Sequence, residues 1–100
     1  MAVYLVVDIQ VRDAAVYEEY KKLVPPLVAK HGGEYLARGG RATAMEGDWQ
    51  PARLVLFKFP DETAVQAFYA DPDYAPVKAL RQRAADTNAV MVEGVATPVA

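Results

Sequence analysis

Hydrophobic and other residues alternate at the start of the chain: Val3, Leu5, Val7, Ile9 and Val11 fall on one side of an extended segment, Tyr4, Val6, Asp8 and Gln10 on the other. A period of two predicts a strand with one apolar and one mixed face. The period then lengthens. Val16, Tyr17, Tyr20, Leu23, Val24, Leu27 and Val28 recur at helical spacing behind Asp13, whose carboxylate suits an N-cap. Glu18 and Lys22, four residues apart, are expected to pair on the helix surface. Pro25-Pro26 lacks amide donors and is expected to kink or divide this helix. Gly32, just after Lys30-His31, is expected to close it in a left-handed conformation.

A second strand is predicted over residues 35–46, interrupted by a bulge at Gly39-Gly40. Gly47-Asp48-Trp49-Gln50-Pro51 reads as a turn, and residues 53–59 as a third strand closed by Pro60. Asp61 caps a helix running to about Ala70; Asp71-Pro72 restarts helix with Asp71 as N-cap and continues to about Ala85. A last strand is expected over residues 89–95, before a Thr97-Pro98 tail. The order βαββαβ, with right-handed crossovers, places the helices on one face of a four-stranded antiparallel sheet. This is the α+β, ferredoxin-like split βαβ arrangement, with strands one and three as the central pair. Residues 1–100 are expected to form one domain, with no linker, repeat or low-complexity tract.

Helices on one side leave the other sheet face bare, and it is partly apolar. Soluble monomers rarely expose a broad apolar patch, so the pattern predicts a homodimer in which two sheets face one another and close into a dimeric α+β barrel. Polar residues on that face suit an enclosed small-molecule pocket, placed between sheet and helices or at the seam between sheets.

Composition narrows the functions. Eleven basic and thirteen acidic residues are interspersed, leaving a net charge of -2 and no basic face for nucleic acid. RNA-recognition domains share this topology, but their third strand begins basic-Gly-aromatic, whereas this one reads Arg53-Leu54-Val55. No cysteine is present and only one histidine, so disulfides, thiolate catalysis and Cys- or His-rich metal sites are not expected, nor is any cofactor. The apolar run from Ala2 to Val7 stops at Asp8, too short for a signal peptide or membrane span; a cytoplasmic location is expected.

The segment His31-Gly32-Gly33-Glu34-Tyr35-Leu36-Ala37-Arg38-Gly39-Gly40 holds four of the six glycines, the only histidine and a central arginine. Together with Tyr4-Leu5-Val6-Val7-Asp8-Ile9, Tyr17-x-x-Tyr20, Glu46-Gly47-Asp48-Trp49, Arg53-Leu54-Val55 and Tyr69-x-x-x-x-Tyr74, it resembles the uncharacterised family called domain of unknown function 1330. The resemblance spans nearly the whole chain. It implies the ferredoxin-like dimer of the dimeric α+β barrel superfamily and no established reaction. The chain departs from the pattern at Phe68-Tyr69, in place of a Trp-Tyr-like pair, and at Pro25-Pro26.

Candidate chemistry follows from residue type. His31, the one imidazole of the chain, is a candidate general base, although a place in the last helical turn favours the imidazolium. Asp8 interrupts an apolar central strand and is a candidate acid/base group, unless it is paired. Arg38 and Arg53, on neighbouring strands, suit forked binding of a carboxylate or other oxyanion; pairing with Glu34, Glu46 or Asp48 is the alternative. Tyr4, Tyr69 and Tyr74 are candidates for stacking on a ligand, and Arg81 for reaching the cavity with its stem buried. Trp49 is expected to pack against the partner subunit or the tail. Both a cofactor-independent, oxygenase-like or isomerase-like enzyme and a non-catalytic ligand-binding or sensing dimer fit these residues.

Overall fold

In a computed structural model of the protein, which describes residues 1–95, the N-terminal alternation is realised as β1 (Val3–Val11). There follow α1 (Ala14–Lys30), β2 (Glu34–Arg38), β3 (Leu54–Phe59), α2 (Glu62–Ala70), α3 (Tyr74–Ala84) and β4 (Ala85–Glu93). The strands form one antiparallel sheet in the order β2-β3-β1-β4, the ferredoxin-like order with β1 and β3 central. The caps read from the sequence are made. Asp13 accepts from the Val16 N–H at 3.2 Å, and Asp61 from the Ala64 N–H at 2.8 Å.

The core lies on one side of the sheet. Val3, Leu5, Val7 and Ile9 of β1 and Val55, Phe57 and Phe59 of β3 are buried against Tyr17, Tyr20, Val24 and Val28 of α1 and Phe68, Tyr74 and Val77 of the later helices. Phe59 is only 1% exposed and stacks on Phe68, with ring centroids 5.7 Å apart. The opposite face carries Tyr4, Val6, Asp8 and Gln10. Val6 sits between Leu56 of β3 and Val90 of β4, and Tyr4 between Lys58 and Val92. Val90 and Val92 are 62% and 50% exposed. No helix covers this face among the described residues. The surface area, 6561 Å², exceeds the roughly 5,600 Å² expected of a folded monomer of this mass by about 1,000 Å². The chain is a slab of 45 × 38 × 16 Å.

Several expectations are corrected. Pro25 and Pro26 lie inside one continuous α1 and divide nothing. Pro25 cannot donate to the Lys21 carbonyl four residues back, but the Arg38 Nη2 donates to that oxygen at 2.7 Å from the neighbouring strand. Glu18 pairs with Lys21 at 2.8 Å rather than with Lys22, and Leu23 of the predicted apolar stripe is half-exposed. The second strand ends at Arg38, not at residue 46, and its irregularity lies between Tyr35 and Ala37. Gly39 adopts φ +69 and donates a last bond to the Leu54 carbonyl at 2.8 Å; β3 begins there, so residues beyond Gly39 have no strand to pair with.

The last strand starts at Ala85 instead of 89. The Ala84 carbonyl accepts from Arg12 and Asp13 N–H at 2.7 and 3.0 Å, tying the end of α3 to the end of β1, so the chain enters β4 without a loop. The helix after Asp71 is counted from Tyr74, yet Asp71 still opens its first turn. Its carbonyl accepts from Tyr74 N–H at 2.9 Å, and its Oδ1 from Asp73 N–H at 2.8 Å. Gly32 has the expected positive φ, +77. The Thr97-Pro98 tail lies outside the described residues.

Candidate functional site

Beneath the helices, the apolar side of the sheet is not completely filled. A cavity with about 500 Å³ of empty space, open mouth included, lies between β1 and β3 below and α1, α2 and α3 above. The enclosed part of this space is about 30 Å³. Its floor is Leu5, Val7, Ile9, Val55 and Phe57; its walls are five tyrosines, Tyr17, Tyr20, Tyr35, Tyr69 and Tyr74. The same helical periodicity that buries an aliphatic stripe here buries phenols, whose hydroxyls must then find partners inside.

Not all of them do. The Tyr20 and Tyr74 hydroxyls lie 3.5 Å apart, and Tyr17 accepts from the Arg53 Nε at 3.1 Å. The Tyr35 hydroxyl and the Thr87 Oγ1, both buried and both lining the cavity, have no hydrogen-bond partner among the described residues. Burial pushes the phenol pKa up for Tyr20, Tyr35 and Tyr69, so these groups stay protonated and available as donors. Arg81 enters the cavity half-buried. Burial opposes its charge, but the hydroxyls of Tyr74, Tyr20 and Tyr69 outweigh that, and its pKa is raised. Among the described residues Arg81 makes no ion pair. The lining thus holds three cations, Lys21, Arg38 and Arg81, and no carboxylate; Lys21 is paired with Glu18 outside the lining, which leaves the two arginines in excess in a protein of net charge -2. That local excess favours an anion.

Arg38 and a further arginine, Arg53, shape the mouth. The Arg38 guanidinium lies over the Tyr35 ring, 4.8 Å from its centroid, while donating to the Lys21 carbonyl. The Arg53 guanidinium lies over Tyr17 at 5.4 Å and rests directly on Gly39. A Cβ at Gly39 would run into the Arg53 guanidinium, so of the second glycine pair Gly39 serves the close approach and supplies the positive φ, while Gly40 has open space around it.

Of the residues singled out from the sequence, Arg38, Tyr69, Tyr74 and Arg81 line the cavity, and Arg53 lies at its mouth. His31, Asp8 and Tyr4 do not line it. His31, the C-cap of α1, joins its Nε2 to Asp71 Oδ2 at 2.8 Å, and Lys30 Nζ reaches the same oxygen at 2.8 Å. The Asp71 side chain is 4% exposed. Lys30, then His31 and the Asp73 N–H, hold its carboxyl well below the usual carboxylate range. Asp8 lies on the open face and ties down the long β2–β3 loop: its Oδ1 accepts from Ala52 and Arg53 N–H at 3.0 and 3.4 Å, and its Oδ2 from Trp49 Nε1 at 3.4 Å. Trp49 therefore contacts its own strand β1, and stays 61% exposed. Tyr4 stands on the same open face. Tyr17, Tyr20, Tyr35, Lys21 and Thr87 were not legible as site residues. The phenols on the inward stripe of α1 are the available signal for Tyr17 and Tyr20; Thr87 offers none, because it lies before the segment whose sequence predicts the last strand.

Among the described residues no cluster of His, Asp and Glu suits a metal ion, and no helix is long and apolar enough to cross a membrane. The fold and an aromatic, cationic cavity define the class: a small ferredoxin-like α+β protein with a pocket under its helices. The chain belongs to the family described as Domain of unknown function (DUF1330), which matches residues 2–95. No curated protein matches it. Among solved structures, it is similar to a protein of unknown function from Rhodopseudomonas palustris, with a TM-score of 0.79 and 18% identity over 96% of this chain and 84% of that one. A dimeric ferredoxin-like protein of unknown function from a Jannaschia species has a TM-score of 0.72 and 13% identity, over 94% of this chain and 100% of the other. The cofactor-independent oxygenase SnoaB from Streptomyces nogalater has a TM-score of 0.65 and 14% identity, over 96% and 95%.

Proposed function

We propose that the protein is a homodimer, joined sheet face to sheet face, in which each subunit uses the tyrosine-lined cavity to bind a small organic anion with an aromatic or apolar body. One observation carries the ligand: an arginine without an ion-pair partner among the described residues shares the cavity with two buried hydroxyls that have no partner. Unpaired buried polar groups cost free energy, and a ligand supplying acceptors recovers it. The dimer is supported by the bare face with Val6, Leu56, Val90 and Val92, by the dimeric description of a structural neighbour, and by surface area.

Catalysis is the second reading, favoured by the likeness in fold to a cofactor-independent oxygenase. The binding reading ranks first because the cavity offers donors and no general base: His31 and Asp8 are both engaged elsewhere. Isothermal titration with a panel of aromatic carboxylates, using wild type and Arg81→Gln, tests the proposal. Binding lost in the variant supports it; equal binding by both proteins refutes it. Assaying each ligand so found for turnover under oxygen then separates the two readings.

A further inference from the structure

We infer that the mouth of the cavity carries a second anion subsite, formed by Arg38, Arg53, Lys21 and Lys22, and that the natural ligand leaves a phosphate monoester there while its apolar body enters the cavity. The inference rests on the cavity reading above. These four cations line an open groove beside the cavity mouth, with Glu18 as its one acidic residue. Glu18 is engaged by Lys21 at 2.8 Å, which with the nearby Lys22 and Arg53 holds its carboxyl below the usual range. The groove therefore has three positive charges in excess, on a protein that is net negative.

The two arginines are held in place before any ligand arrives. Each lies over a tyrosine ring and gives one N–H to the protein, Arg38 to the Lys21 carbonyl and Arg53 to the Tyr17 hydroxyl. Neither forms an ion pair among the described residues. A guanidinium has five donors in a planar fork, so each retains donors for an oxyanion and loses little side-chain freedom on binding. A single carboxylate would neutralise one of three excess charges. A phosphate monoester brings a charge of about -2 and three acceptor oxygens, a closer match to two forks and two ammonium groups. Lys21 and Arg38 line both the groove and the cavity, so one molecule spans the two.

The test compares 4-hydroxybenzoate with 4-carboxyphenyl phosphate, which adds a phosphate to the same body, by calorimetric titration at physiological salt. Wild type is expected to bind the phosphate about tenfold more tightly or better. Lys22→Gln, which alters the groove and touches no cavity residue, is expected to remove part of that preference while leaving 4-hydroxybenzoate affinity unchanged; Arg53→Gln, which also frees the Tyr17 hydroxyl of the cavity wall, is expected to weaken the phosphate more than 4-hydroxybenzoate. Equal affinity of wild type for both compounds, or an equal loss of both in Lys22→Gln, overturns the subsite and leaves the cavity standing. If instead Arg81→Gln changes the binding of neither compound, the cavity reading fails. Binding of neither compound at millimolar concentration overturns the subsite as stated.

Discussion

Replacing Tyr35 by phenylalanine separates a hydroxyl kept for a ligand from one that serves the fold. The ring packs on Phe57 with centroids 4.7 Å apart and supports the Arg38 guanidinium at 4.8 Å, and Tyr35→Phe keeps both contacts. It removes a buried hydroxyl that has no partner among the described residues. An unsatisfied buried polar group costs about 1–3 kcal/mol. The cavity is open at its mouth, which puts the gain near the lower end, about 1 kcal/mol. For a domain of this size that raises Tm by about 4–8 °C. Ligand binding should move the opposite way: losing one neutral hydrogen bond of about 1 kcal/mol weakens affinity roughly fivefold. Thr87→Val, nearly isosteric, should behave alike at the other unpaired hydroxyl. Thermal denaturation and calorimetric titration of the three proteins read both signs. Variants less stable than wild type would refute the reasoning, since the hydroxyls would then be paired in the free protein.

Val6→Asp places a carboxylate on the open sheet face between Leu56 and Val90; sedimentation velocity should show a folded monomer for the variant and a dimer for wild type, and an unchanged dimer would remove the face-to-face arrangement. Gly39→Ala meets both a φ of +69 and the Arg53 guanidinium, so it should lower stability by about 1–2 kcal/mol and release Arg53 from Tyr17, read by denaturation and by the Arg53 Nε–H resonance. Asp71 has its pKa lowered in the folded state, so its stabilisation is fully present above the ordinary carboxylate value, about pH 4, and is lost as pH falls through the folded value. Asp71→Asn should therefore be less stable than wild type at pH 7, and the gap should narrow in acid; a gap independent of pH would show that the charge is not what matters.

The first helix shows what sequence conceals. Nothing in Pro25-Pro26 announces that the carbonyl left without its donor will be served from β2 by Arg38, a residue the sequence marked as a ligand group. The role of Gly39 was likewise visible only in part. A shaped edge was legible from composition, but its purpose, letting the Arg53 guanidinium lie on Gly39, depends on two strands meeting. His31 and Asp8 drew attention by rarity and by interrupting a pattern. Each proved to tie elements together, His31 with Lys30 at the start of α3 and Asp8 at the β2–β3 loop.

By itself, the sequence determined the element order, the central strands, the buried and the bare faces of β1, and the caps at Asp13 and Asp61. These follow from periodicity and local hydrogen bonding, which act over a few residues and are written in the chain. Only the tertiary structure decided where β2 stops, that β4 begins at Ala85, and that five tyrosines with Arg81 and Thr87 enclose one space. Those outcomes depend on which distant groups satisfy each other's hydrogen bonds and fill each other's volume, and that is settled when helices and sheet pack together.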